Sequence, residues 1–183
     1  MKPSIIAAAL VGIALVSQSS ESRAQVSTVA KPVQFGIAAG AVLPVSELSD
    51  NVNTGWNVTG TVGFSPALIP LGIRVDGAYN SMGAKGGGAN INFTSVTGNL
   101  VYKFPSTGVS PYAIGGAGWY HATVDFTGAG STSENHFGWN IGGGISMPLS
   151  GFDTFLEARY NQVQFGNGDP PAKFIPITFG VMF

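Results

Sequence analysis

The last eleven residues constrain this chain more than any other stretch. Residues 173–183 read Lys-Phe-Ile-Pro-Ile-Thr-Phe-Gly-Val-Met-Phe. Counting back in twos from the end gives Phe183, Val181, Phe179, Ile177 and Ile175, an unbroken apolar row. The other parity gives Met182, Gly180, Thr178, Pro176 and Phe174, which is smaller and more mixed. Successive strand side chains point to opposite faces, so this is a strand with one strongly apolar face. Its 11 residues are close to the roughly 9–11 that a tilted strand needs to cross a bilayer's hydrocarbon core.

Composition sharpens that reading. Charged residues are 9% of the 183, against about 25% in an ordinary soluble domain. Glycine occurs 27 times, about double the usual share. No run of about 18 apolar residues follows the amino terminus, so no transmembrane helix is expected there. A net charge of −1 leaves no footprint for nucleic acid. With no cysteine, disulfides and thiol chemistry drop out. Residues 1–24 read as a cleavable signal peptide, with Lys2 as its positive end, 5–16 as its apolar stretch and Ser22-Arg23-Ala24 as a small-x-small cleavage site. That apolar stretch is too short to span a membrane. Residues 25–32 form a short periplasmic lead-in, and 33–183 form one domain.

The same period of two recurs along the domain. Strands are predicted at 33–43, 56–64, 72–81, 91–104, 109–126, 137–149, 154–165 and 173–183. Ile91 and Phe93 sit on the polar parity of the fourth strand, which predicts either a bulge near Thr94 or a loop there. The fifth strand sets Tyr112, Ile114, Tyr120, Ala122 and Val124 on its apolar face, opposite Trp119, His121 and Asp125. Polar loops at 44–55, 83–90, 127–136 and 166–172 alternate with short turns, and no helix is predicted. Long and short connections alternate in this way in membrane barrels, and eight hairpin-linked strands return both ends to one side. The fold class is therefore all-β: an eight-stranded antiparallel up-and-down transmembrane barrel preceded by a signal peptide. The last strand should close against the first, with Pro176 disturbing that seam because it removes a ladder hydrogen bond.

Alternation alone leaves open whether the apolar face points inward, as in a soluble barrel, or outward to lipid. Three features favour lipid. Aromatics cluster near strand ends on the apolar face, among them Trp56, Phe64, Tyr79, Tyr102, Phe104, Tyr112, Tyr120, Phe137, Tyr160 and Phe183, as interfacial girdles require. The polar face is mostly Asn, Thr, Ser, Gly and Ala, too poor in charge for a soluble surface and small enough for a narrow lumen. The signal peptide supplies the compartment, and closure removes every free edge.

With the strands placed, four segments carry a family resemblance: 111–120 (Pro-Tyr-Ala-Ile-Gly-Gly-Ala-Gly-Trp-Tyr), 137–145 (Phe-Gly-Trp-Asn-Ile-Gly-Gly-Gly-Ile), 156–160 (Leu-Glu-Ala-Arg-Tyr) and 177–183 (Ile-Thr-Phe-Gly-Val-Met-Phe). They resemble the small outer-membrane β-barrel family that includes the OmpA transmembrane domain, OmpX, OmpW and the opacity-type proteins. The similarity covers nearly all of 33–183. It implies an outer-membrane location with periplasmic termini and contact with outer-membrane lipids. It also implies assembly by the outer-membrane barrel machinery, which in that family reads the final strand, so that Phe179, Val181 and Phe183 would be the assembly signal. With nothing after Phe183, the peptidoglycan-binding domain that follows some OmpA barrels is expected to be absent.

Arg74, Asp76, Lys103, Glu157 and Arg159 fall on the inward parity, and charges at bilayer depth face the interior and pair. They are expected to form a structural lumenal charge network; a gated ion path is the sharper alternative. His121, His136, Ser110, Ser131, Ser133 and Glu134 are the material for a lipid-modifying enzyme, but serine is common in loops and two histidines are few. Glu134-Asn135-His136 is too sparse for a closed metal site. No catalytic residue, metal or cofactor is expected, and the protein is expected to be a monomer. The expected function is structural or surface-interacting through four extracellular loops, since loops on a rigid scaffold carry recognition. The alternative is a narrow pore or carrier for small, apolar solutes.

Overall fold

The computed structural model describes residues 32–66, 69–166 and 168–183. The expected signal peptide, and the lead-in before Pro32, lie outside the described residues. Eight strands follow one another: β1 (Val33–Val45), β2 (Gly55–Phe64), β3 (Leu71–Gly83), β4 (Ala89–Lys103), β5 (Ser110–Phe126), β6 (Gly130–Leu149), β7 (Phe152–Val163) and β8 (Ala172–Met182). Each pairs antiparallel with the next, and β1 with β8, so the sheet closes into a barrel. Phe35 and Phe183 exchange backbone hydrogen bonds of 3.2 and 2.7 Å across the closing seam.

The apolar parity faces outward. Phe35, Ile37, Val75, Val96, Leu100, Ile141 and Phe179 are exposed, while Asn57, Asp76, Thr97, Asn99, Asn140 and Glu157 are buried in the lumen. Ile177, Phe179 and Phe183 lie on the outer face as the last strand predicts.

Strand β5 is turned the other way from its predicted face. Trp119 is 70% exposed and Tyr120 only 1%. Cross-strand partners share a face: outward Val96 pairs with Trp119, and inward Ser95 with Tyr120. Counting apolar residues misled because both tyrosines carry a hydroxyl that is satisfied inside. Glycines on the neighbouring strand make room for their rings. A Cβ on Gly144 would stand 2.6 Å from the Tyr112 ring, and one on Gly138 2.7 Å from the Tyr120 ring. The outer face of β5 is left with Ala113, Gly115, Ala117 and Trp119. Tyr112 and Tyr120 therefore leave the aromatic girdle, and Trp119 and Trp139 enter it.

Two connections and one strand also differ from expectation. The segment 44–55 contains a one-turn helix, α1 (Glu47–Asn51), entered through Ser46 at φ 56°. The segment 127–136 is mostly strand, because β6 begins at Gly130 and leaves only 127–129 as a turn. Its serines read as loop composition, yet they continue the β5 ladder to Phe126. β4 has no bulge near Thr94: its pairing with β3 is continuous from Tyr102 to Asn90, and Phe93 points inward.

Pro176 leaves the β1–β8 seam intact and interrupts β7–β8 instead. The Phe35–Phe183 exchange turns odd-numbered N–H groups of β8 toward β1 and even-numbered ones toward β7. The missing N–H of Pro176 therefore faces Arg159. Pairing of β7 with β8 is lost between Ala158 and Asn161, and the Arg159 carbonyl accepts the Asn161 side-chain amide at 3.4 Å.

Candidate functional site: the filled lumen and the overhanging sheet

Arg74 and Asp76 lie two apart on β3, and Glu157 and Arg159 two apart on β7, so each pair shares the inward face. The two strands run in the same direction on different sides of the lumen, with the sign order reversed. Each arginine therefore meets the acid of the other strand as well as its own. Arg74 Nη2 lies 2.7 Å from Glu157 Oε2, and Arg159 Nη1 lies 2.8 Å from Asp76 Oδ2. Arg74 Nε to Asp76 at 3.1 Å, and Arg159 Nε to Glu157, close a ring of alternating charge. Tyr112 donates to Glu157 at 2.8 Å, Asn99 to Asp76 at 2.9 Å, and Asn140 to Asn99 at 2.9 Å. Four charges cancel pairwise, and the carboxylates are only 1–2% exposed, the condition under which buried ions are tolerated.

Lys103 stands apart from this ring and makes no ion pair among the described residues. It lines a cavity of about 40 Å³ near the start of β1 and the end of β8, with Gln34, Asp153 and Met182. Asp153 is held by Gln34 at 3.4 Å. On the other side of the ring lies a polar cavity of about 30 Å³ lined by Asn57, Thr59, Asn80, Thr97 and Asn161, room for about two waters.

Beyond that cavity the lumen becomes apolar and full. Val42, Met82, Phe93, Val163 and Phe174 are 0–1% exposed, and Val52 and Leu48 enter from the first connection. Phe93 stacks on Phe174 with centroids 5.0 Å apart, and Tyr120 donates to Asn161 at 2.9 Å. The amino acids that fill this end were missed because Ile91, Phe93 and Phe174 sit on a parity read as polar. The signal was present: three apolar residues of inward parity near the ends of β4 and β8.

The enzyme candidates do not assemble. His121 Nδ1 lies 2.9 Å from Asn135 Oδ1, and His136 Nε2 lies 3.4 Å from Glu134. Among the described residues neither histidine hydrogen-bonds a serine. Ser110 lies at the opposite end of β5, while Ser131 and Ser133 pair with Asp125 and Thr123. No cluster of three metal-ligating side chains occurs among the described residues.

Strands β3 to β6 reach beyond the end of β7. β3 pairs with β4 as far as Gly83–Asn90, the β4–β5 ladder ends one residue later at Ala89–Phe126, and the β5–β6 ladder ends at Phe126–Gly130. β7 stops against β6 at Gly138–Val163, with one further bond from Gln164 N to Phe137 O at 2.9 Å. Residues 130–136 thus have β5 on one side and, among the described residues, no strand on the other.

A closed, outward-apolar eight-strand barrel has an established home. A family model described as outer membrane protein beta-barrel domain matches residues 5–183. The chain belongs to that outer-membrane family. Among solved structures it is similar to Neisserial surface protein A (NspA), at 18% identity and a TM-score of 0.70, over 82% of this chain and 96% of that one. It is also similar to a major outer membrane protein of Thermus thermophilus, at 12% identity and a TM-score of 0.56, over 82% and 98%. The N-terminal barrel of Pseudomonas aeruginosa OprF aligns at 15% identity and a TM-score of 0.51, over 82% and 97%. At such identities these matches show the fold. No curated protein matches the sequence. The outer face of this family member is accordingly lipid-facing, and its place is the outer membrane.

Proposed function

We propose that the protein is a surface-interaction barrel, a filled anchor that holds the projecting sheet of β3 to β6 outside the cell. On this reading residues 1–24 direct export, and the barrel assembly machinery recognises Phe179, Val181 and Phe183. Both mature termini lie in the periplasm and the barrel is a monomer. Arg74, Asp76, Glu157 and Arg159 are structural, and no covalent chemistry or cofactor is involved. One observation carries the proposal: β6 extends seven residues, 130–136, beyond the last strand that covers its other edge. At about 3.4 Å per residue that overhang is roughly 24 Å of strand, more than a connection needs. The test uses the absence of cysteine. Thr127→Cys should react with a membrane-impermeant maleimide on intact cells. Labelling only after the envelope is opened would place the sheet on the wrong side and end the proposal.

The pore or carrier reading draws support from the apolar end of the lumen around Phe93 and Phe174, but those side chains occupy the space a solute would need.

A further inference from the structure

We infer that the free edge of β6 pairs with the same edge of a second copy of this protein standing in a facing membrane. The inference rests on the reading that the sheet lies outside the cell.

The edge is defined by hydrogen-bond direction. Phe137 turns its carbonyl away from β5, to Gln164 N. Strand groups alternate in direction, so the N–H and C=O of Asn135, Ser133 and Ser131 turn the same way. β7 has ended there, and every residue from 130 to 135 is exposed. Natural edges are blunted with charged side chains, lysine above all, and with proline, bulges or a covering element. Residues 131–135 contain neither lysine nor proline, their single charge is Glu134, on the parity whose backbone groups turn to β5, and their ladder with β5 is unbroken.

The edge is also complementary to itself. Setting Ser133 against Ser133 of the second copy, antiparallel, opposes Ser131 to Asn135 and Thr132 to Glu134. The three odd-numbered pairs are those whose backbone groups face outward, and Glu134, the one carboxylate in the segment, meets a threonine. No like charges meet.

Symmetry chooses where the second copy stands. A strand pairs antiparallel with itself only across a twofold axis perpendicular to it. Two copies in one membrane are related by an axis along the membrane normal. Strands tilted by roughly 35–45° would then cross at roughly 70–90° instead of running side by side. Copies in facing membranes are related by an axis in the plane midway between them, and that axis makes the two β6 edges antiparallel. Three residue pairs make a small contact, so each pairing is weak and many together hold two surfaces by multivalency.

Purified protein in phosphatidylcholine vesicles, checked for an outward sheet by maleimide labelling of Thr127→Cys, should cluster the vesicles as read by light scattering. Ser133→Lys places two ammonium groups opposite each other at the centre of the register and should lower clustering about tenfold. Ser133→Glu should do the same. Mixing Ser133→Lys vesicles with Ser133→Glu vesicles should restore clustering, because opposite charges then meet. Unchanged heat-modifiable gel migration will show both variants folded. Wild-type vesicles that stay dispersed although the sheet is labelled overturn the self-pairing while leaving the sheet's location intact. Dispersed vesicles that take up an extended peptide along β6 assign the edge to another protein and equally overturn it. Absence of rescue in the mixed population overturns the register.

Discussion

At the scale of single residues, the lumen depends on a ring whose members are worth little apart. Removing Glu157 leaves Arg74, Arg159 and the Tyr112 hydroxyl facing a gap in a buried interior. Breaking a buried pair from one side costs about 3–5 kcal/mol, chiefly because the remaining charge is uncompensated. Glu157→Ala is therefore expected to lower unfolding free energy by that amount in urea, followed by tryptophan fluorescence in lipid vesicles. Lys103→Ala, which removes no ion pair, is expected to stay within about 0.5 kcal/mol of wild type. Equal losses in the two variants would mean that the ring has no special stake in Glu157. The i, i+2 spacing of Arg74–Asp76 and Glu157–Arg159 announced which residues share a face. It could not announce that the two faces meet, since that depends on how far across the lumen each side chain reaches.

Elements were legible where alternation is strong and ambiguous where it is not. In β3 and β7 charge marks the inner face and no second choice exists. In β5 both parities carry aromatics, and the decision passed to neighbours: β6 offers Gly138 and Gly144 on its inner face, and Tyr120 and Tyr112 fill that room. In β8 the proline was visible, but which partner it deprives depends on the hydrogen-bond phase of the closing pair, set by Phe35 and Phe183. Pro176→Val restores an N–H aimed at the Arg159 carbonyl. The expected result is a gain of about 0.5–1.5 kcal/mol in unfolding free energy, the net worth of one hydrogen bond. It should come with slower hydrogen exchange in β8 and none in β1. Slowing confined to the β1–β8 seam would contradict the assignment.

For the whole molecule, two different barriers stand in series along one lumen. The charge ring closes it at Arg74, Asp76, Glu157 and Arg159, and the apolar fill closes it again at Phe93, Phe174, Met82 and Val52. Planar-bilayer recordings of the wild type should show no discrete channel events. Arg159→Ala should remain silent as well, because the second barrier is untouched. Steady unitary currents in the wild type would refute the sealed lumen.

What the sequence determined by itself was whatever depends on a side chain's polarity and its place in a period of two: eight strands, their order, an outward apolar face on all but β5, and an inward charged set. Those properties are local, and water and lipid sort them without regard to the rest of the chain. Tertiary structure alone decided what depends on distance across the barrel or on the phase of a ladder. It closed four charges into a ring without Lys103, turned β5 over, and moved the proline's defect from β1 to β7. It also carried β6 past its neighbour and left an open edge. The final strand shows the division well: Ile177, Phe179 and Phe183 face outward because they are apolar and alternate, and Pro176 breaks one side of the strand because of how the barrel closes.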